Sequence, residues 1–325
     1  MLAMVLPVQA VDLKIATLSP DGSSWMVKMR AGAAEVARRT DGRVRFKFYP
    51  GGVMGDDKAV LRKIRIGQLQ GAALTNGALN KFYPDNKVYN LPIKFKSFDQ
   101  VDYVRKHMDS IIIEGFRKGG FVTFGLAEGG FAYIMSKYPV TTATDLRNHK
   151  VWMPKGDKMA LAISKAFGVT PIPLTAAEVR TGLQTGLIDT VAVVPIGAVA
   201  LQWHTQIKHL TDAPLIYVYG FLTIDRKAFQ KLSPGDQAVV NDVMTEVMKD
   251  VDRQNRAENI KAMEVLRNQG VGFVKPAPAE LQHWQQLSAE VSARLVSSGN
   301  LSQQIVDKFE RYLEEYNSKT AGTNS

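Results

Sequence analysis

No cysteine occurs among the 325 residues, which excludes disulfides, thiolate nucleophiles and Cys-ligated zinc or iron–sulfur sites without assigning a compartment. Nor does any stretch after the first ten residues reach the roughly 18 uninterrupted apolar positions that a membrane-spanning helix needs. Histidine is scarce: the five are His107, His149, His204, His209 and His283, and no two have the i,i+4 spacing of an HExxH zinc helix. GxSxG, a P-loop and a GxGxxG turn after a strand are all absent. "GGVMG" (51–55) is glycine-rich but too short, lacks Lys-Ser/Thr, and reads as a turn. Hydrolytic and metal chemistry therefore have little support, and no cofactor or metal is expected. Spatial pairing of acids such as Asp157, Glu178 and Asp189 stays open.

What is present is an ordinary globular balance, 45% hydrophobic and 22% charged, in a chain long enough for two domains. The net charge of +10 comes from scattered basic residues with acids interleaved, as in "KMRAGAAEVARRTDGRVRFKFYP". Without a basic block, RNP motif or zinc-finger spacing, nucleic acid is not an expected partner. An anionic ligand or an anionic membrane surface fits the charge better. "MLAMVLPVQA" (1–10) resembles the end of a secretory signal peptide lacking its basic n-region, with small residues at the −3 and −1 positions; the mature chain is expected to begin near Val11. An N-terminal tail is the other reading.

Strand and helix signals alternate. "VDLKIATLSP" is a strand ended by Ser19-Pro20-Asp21-Gly22, and a helix follows from Ser24 to Arg39 with Met26, Met29, Ala33 and Val36 on one face. "GRVRFKFYPGG", "DDKAVLRKIRIGQLQ" and "GAALTN" continue as strand, helix and strand, which indicates an α/β domain. "FVTFGLAEGGFAYIMSK" (121–137) is a long extended run interrupted at Gly129-Gly130. A second strand–helix series follows, through "HKVWMP", "KMALAISKAF", "VTPIPL", "TAAEVRTGLQTG" and "LIDTVAVVP". "APLIYVYGFLTID" (213–225) is a second long extended run. Two such crossing segments around one inserted series imply two lobes with a cleft between them. "LQWHTQIKHLTD" (201–212) reads as a helix.

Ser233, Pro234 and Asp236 then open a helix whose signal persists to Gly270, roughly 50 Å at 1.5 Å per residue. A 150-residue domain has a radius of gyration of only about 15 Å, so this helix is expected to serve both lobes, the other possibility being a break near Gln254-Asn255. Two further helices and a frayed "SKTAGTNS" tail close the chain.

In that order, "YPGGVMGDDKAVLRKIRIGQLQGA", "DLRNHKVWMP", "FGVTPIPLTAAEV", "GLQTGLIDTVAVVP" and "FQKLSPGDQAVVNDV" resemble the substrate-binding proteins of tripartite ATP-independent periplasmic (TRAP) transporters, the DctP family. The ordered set covers most of residues 11–270. The resemblance implies an α/β, two-lobed periplasmic-binding-protein fold of DctP type, with crossing strands and a long helix spanning both lobes. With it go lobes formed by 11–130 plus about 221–252, and by 131–220 plus about 253–317, with 318–325 a disordered tail. It also implies a periplasmic receptor, not an enzyme, that closes on a small organic acid and hands it to TRAP membrane permease subunits. Two rivals are a receptor presenting its ligand to a signalling partner and a hydrolytic enzyme.

The departures from the family pattern define the expected site. Where the family has an Arg that clamps a ligand carboxylate, this chain has Trp152; indole offers one N–H and no charge, so it cannot replace a planar bidentate clamp. A second family Arg falls at Ala132, a family Phe at Ala176 with Glu178 retained, and a family Asn at Val193 or Val194. A pocket rebuilt with aromatic and small residues is expected, for an aromatic or largely apolar monocarboxylate or a neutral compound. Its candidate ligand residues are Trp152 as floor, then Trp203 with Gln202 and His204, Phe131 or Tyr133 beside the lost Arg, and Trp25 with Ser24 at a helix start. Asn76 after the third strand and Lys155 as a substitute cation complete the set. For Trp152 and Trp203 the competing role is core packing; for Asn76 a turn; for Lys155 plain exposure. Arg147 and Arg180 are further places to which the lost charge could have moved.

Overall fold

The computed structural model describes residues 10–75 and 77–321. The signal-peptide-like positions 1–9, Asn76 and the last four residues lie outside the described residues. In chain order the elements begin with β1 (Val11–Thr17), α1 (Ser24–Arg39), β2 (Val44–Tyr49), α2 (Asp57–Arg65), β3 (Gly71–Thr75), α3 (Phe98–Lys118), β4 (Phe121–Thr123) and β5 (Ala127–Ser136). Next come α4 (Ala143–Arg147), β6 (Trp152–Pro154), α5 (Lys158–Ala166), β7 (Ile172–Leu174), α6 (Ala176–Thr185), β8 (Thr190–Val193) and α7 (Pro195–Ala200). The chain ends with β9 (His209–Thr211), β10 (Ile216–Asp225), α8 (Arg226–Phe229), α9 (Pro234–Asn268), β11 (Gly272–Val274), α10 (Pro278–Ser297) and α11 (Gln303–Ala321).

These elements divide into two compact units. The first holds residues up to 83, 109–128 and 219–254; the second holds 84–108, 129–218 and 255 onward. In the first unit β1 pairs in parallel with both β2 and β3, and the second half of β10 runs antiparallel to β3 and β4. Met29 and Val36 of α1 pack with Leu13 and Ile15 of β1 and with Val240, Met244 and Met248 of α9. This is the apolar face that the spacing of α1 predicts. Ser23 caps α1 and Asp56 caps α2, each accepting from a backbone N–H three residues on.

The second unit is built on β5, antiparallel to β8 and β9, with β11 parallel to β9. A small parallel pair, β6–β7, joins β8 through the parallel bridge Val151↔Thr190. One cluster centres on Trp284 and Phe167 and another on Trp203, Leu183, Val191 and Leu266. Gly129 and Gly130 do not interrupt the extended run; they lie inside β5, and the break falls at 124–126 instead. Gly130 has φ +98, and a Cβ there would meet Asn259 Nδ2 at 2.7 Å, so only glycine lets Asn259 close on this strand and donate to the Gly129 carbonyl.

Three further expectations need correction. Residues 84–108 belong to the second unit rather than the first, because Asn90 donates to the Tyr217 carbonyl at 2.6 Å and Ile93 N to that of Leu215 at 2.7 Å. "LQWHTQIKHLTD" is a short 3-10 turn, Trp203–Gln206, and a strand, β9, so His204 and His209 do not share a helix. The helix α11 continues through 318–321 because Phe309 and Leu313 bury its apolar face and Lys319 Nζ reaches the Tyr103 hydroxyl at 2.7 Å. The 35-residue α9 is unbroken, about 52 Å long, and passes from the first unit to the second between Gln254 and Asn255.

Candidate functional site

In α/β folds ligands are met outside the carboxyl ends of parallel strands, where loops lead into helix N-termini. The first unit has such an edge at the ends of β1, β2 and β3. A small concavity there is lined by Thr17, Leu18, Gly52, Met54, Asp57 and Leu74. Asp56 uses its carboxylate to cap α2, accepting from Ala59 N at 2.8 Å. Asp57, the next residue, makes no capping bond among the described residues; its Oδ2 is 3.5 Å from the Thr75 hydroxyl. Burial pushes the Asp57 carboxyl up to about 6, the Asp56 charge adds to this, and the Thr75 hydroxyl opposes it. Asp57 was not among the sequence candidates, although an acid doubled at a helix start, "GDDK", leaves one carboxylate beyond what a cap requires. Ser24 and Trp25 also stand at this edge, in the first turn of α1. Trp25 is half-buried on the core of the unit, and its Nε1 has no hydrogen-bond partner among the described residues.

The second unit has an equivalent edge at the ends of β6, β7 and β8. Here the helix starts are closed by the unit's own side chains. Asp157 Oδ1 accepts from Met159 N at 2.8 Å and Ala160 N at 3.2 Å. Glu178 Oε2 accepts from both the backbone N and the hydroxyl of Thr175 at 2.7 Å, and these bonds hold its carboxyl below the usual range. Asn259 Oδ1 accepts from Ile196 N at 3.2 Å at the start of α7.

Trp152, the first residue of β6, turns its indole along this edge and donates Nε1–H to the Leu174 carbonyl at 3.1 Å. The same carbonyl accepts from Lys155 N at 3.2 Å. The one donor of Trp152 is therefore used within the unit, and what remains is its ring. Trp203 meets that ring edge-on, with centroids 5.2 Å apart and planes at 81°, and is itself 2% exposed. Tyr133 packs on the same cluster, and burial raises its hydroxyl to about 12, the nearby Asp212 adding and Arg267 opposing. Trp152, Trp203 and Tyr133 are thus brought together, as core residues or against the core.

The remaining candidates are dispersed. Phe131 is buried in a separate aromatic group with Phe98 at 4.8 Å and Tyr217 at 5.7 Å. Gln202 is exposed in a left-handed conformation, φ 57, and His204 Nδ1 lies 3.0 Å from the Ala198 carbonyl. The Lys155 side chain is exposed. Asn76 lies outside the described residues. Arg180 is exposed, and Arg147 Nε donates to the Phe167 carbonyl at 3.0 Å. Ala132, which stands where the family pattern has its second Arg, is 2% exposed.

A cation that sequence reading missed stands at this edge. Lys87 lies in the 3-10 turn Pro84–Asn90 and is 6% exposed, its ammonium 3.5 Å from Asp157 Oδ1. Burial pushes its pKa down, against the pull of Asp157, and Lys158 adds to the depression. Among the described residues no group of three His, Asp or Glu is placed to hold a metal ion, and no helix is long and apolar enough to cross a membrane.

The sequence pattern of the bacterial extracellular solute-binding proteins, family 7 (DctP), matches residues 15–298. An uncharacterized protein, YiiZ, of Salmonella typhimurium is 26% identical over 216 residues, 63% of this chain and 64% of that protein, so the matched region spans a little under two thirds of that relative. The sialic acid-binding periplasmic protein SiaP of Vibrio cholerae is 22% identical over 273 residues, 82% of this chain and 84% of that one. In structure, the chain superposes on a TRAP periplasmic solute-binding protein of Pseudomonas putida F1, solved with bound D-glucuronate. The TM-score is 0.82 at 22% identity, covering 93% of this chain and 96% of that one.

Proposed function

The chain belongs to the bacterial extracellular solute-binding proteins, family 7 (DctP), and on that premise we propose that it is a periplasmic receptor for a small organic acid, or for an aromatic or apolar compound, that it delivers to a TRAP-type membrane permease. It acts as a carrier and returns its ligand unchanged. The observation that carries this reading is the paired use of strand ends: each unit ends its parallel strands at an edge of loops and helix N-termini, the arrangement that meets small anions in α/β folds. SiaP is named for sialic acid and the Pseudomonas putida protein was solved with D-glucuronate, so acids of comparable size are the first class to test. Trp152 in place of a clamping Arg, with its N–H already used, supports a less polar ligand surface than those acids present.

The test is a thermal-shift screen of purified protein against dicarboxylates, sugar acids, aromatic acids and neutral amphiphiles, with recovery of any bound compound. A ligand at 100 times its dissociation constant stabilises by about 2.7 kcal/mol, which shifts melting visibly. Stabilisation by one class with intact recovery is expected. Stabilisation by none, or chemical conversion of a bound compound, would end the carrier reading.

A further inference from the structure

Lys87 is a buried lysine that its surroundings do not neutralise well. Its stem is enclosed in the second unit, and among the described residues its one acidic partner, Asp157, stands at 3.5 Å, longer than a charge-assisted bond of about 2.8 Å. An ammonium has three donors, and no other acceptor for them is found among the described residues. Asp157 is half-committed: Oδ1 accepts from Met159 N and Ala160 N, while Oδ2 has no hydrogen bond among the described residues. Lys155 and Lys158 flank Asp157, so the segment "KGDK" and Lys87 together carry three cations against one anion. The capping Glu178, whose carboxyl also feels Lys155, leaves that balance positive. The pair stands where β6 ends and α5 begins, at the strand-end edge of the unit.

We propose that Lys87 and Asp157 form the acid-recognition pair of the second unit, Lys87 binding the ligand carboxylate and Asp157 Oδ2 accepting from a hydroxyl on the adjoining carbon, which selects 2-hydroxy acids. A carboxylate that reaches Lys87 gains a charge-assisted bond in a poorly solvated place, and its neighbouring hydroxyl finds an acceptor already fixed by the α5 cap. Discrimination follows from the pair: an acid without the hydroxyl leaves Oδ2 unmatched, and a neutral hydroxy compound leaves the cation unmatched.

This inference rests on the receptor reading above. It is tested by calorimetry on the full chain with lactate against propionate, mandelate against phenylacetate and gluconate against 2-deoxygluconate, with mandelamide as a neutral probe and alanine and phenylalanine as amino acids. At least one 2-hydroxy acid is expected to bind more tightly than its deoxy counterpart. Lys87→Met, which keeps the buried stem, should weaken that acid roughly 10- to 100-fold. Asp157→Asn should narrow the gap between hydroxy and deoxy acids while retaining a capping oxygen. Lys94→Met, which removes a lysine ion-paired to Glu310, should leave binding unchanged. An acid held equally well by the wild type and Lys87→Met overturns the proposal and leaves the receptor reading standing, as does binding of neutral or amino-acid probes in preference to acids. If no probe and no compound of the thermal-shift panel binds, both fall.

Discussion

In the first unit Asp57 follows a capping aspartate, has no backbone donor among the described residues, and is pushed up to about 6 by burial. In the second unit Glu178 stands in the first turn of α6 as Asp57 does in α2, yet it closes a capping box and is held below the usual range by two bonds from Thr175. The difference shows how helix starts sort acids. A carboxylate that accepts backbone N–H groups is stabilised as an anion; one left over at the same kind of edge is desolvated with only the Thr75 hydroxyl to oppose it, and its carboxyl moves up instead of down. The aromatic residues sort the other way. In the first unit Trp25 has an N–H without a partner among the described residues, whereas in the second Trp152 and Trp203 are tied to Leu174 and to each other.

The largest expected effect would come from removing the aromatic support of the second edge. Trp203→Ala deletes a side chain that is 2% exposed at the centre of a core cluster, and should cost about 3–5 kcal/mol in urea denaturation. A loss under about 1 kcal/mol would mean that the second edge does not depend on that core, and Trp203 would return to the ligand candidates.

The sequence carries some of this arrangement and not the rest, for reasons that particular residues show. Helix α1 spans Ser24–Arg39 as its capping serine and Met26–Met29–Val36 spacing dictate, because a local cap and a local period agree. The long helix α9 is legible for the same reason, with Ser233, Pro234 and Asp236 opening an uninterrupted run. The candidate edges are much less so. Lys87 sits in "YPDNKVYNLP", which carries no helical or strand period to mark an inward face; the segment is held by partners more than 120 positions away, Asn90 donating to the Tyr217 carbonyl and Ile93 N to that of Leu215. Asp57 and Asp56 are chemically identical neighbours, and only the fold decides which one caps. Trp152 was visible as a residue, but its N–H partner depends on the parallel register Trp152↔Ile172, which brings the Leu174 carbonyl within reach.

Asp57→Asn sharpens the comparison through pH. The carboxyl of Asp57 titrates near 6 in the folded protein and near its ordinary 3.8 in the unfolded chain. Below 3.8 both states are protonated and the variant should match the wild type. Between 3.8 and 6 the unfolded chain releases its proton first, so the stability contributed by the neutral buried carboxyl is lost as pH rises and stays lost above 6. The variant, which never ionises, should therefore be more stable than the wild type at pH 7 by about 1–2 kcal/mol, allowing for partial solvent access, and equal to it at pH 3.5. A pH-independent difference would show that Asp57 is not the desolvated acid of the first edge. If Asp57 meets the ligand, the same variant gains stability and loses affinity, the trade expected of a group kept for function.

Trp152→Phe has the smallest expected effect and separates the two roles of that residue. Phenylalanine keeps a ring for the edge-on contact with Trp203 but removes the N–H that reaches Leu174. The Leu174 carbonyl is not orphaned, since Lys155 N still donates to it, so the cost should lie at the low end for a hydrogen bond, about 0.5–1 kcal/mol. Trp152→Ala removes the ring contact as well and should cost more. Paired denaturation and calorimetry with any ligand found in the screen then divides structure from recognition. If the ring is a platform for the ligand, Phe retains affinity to within about threefold while Ala loses it, because what acts on the ligand is an apolar face and not a donor. If Phe loses affinity as fully as Ala, the indole N–H must leave Leu174 to meet the ligand, and the second edge would be rearranged by binding in a way the first, where the N–H of Trp25 has no partner among the described residues, would not need.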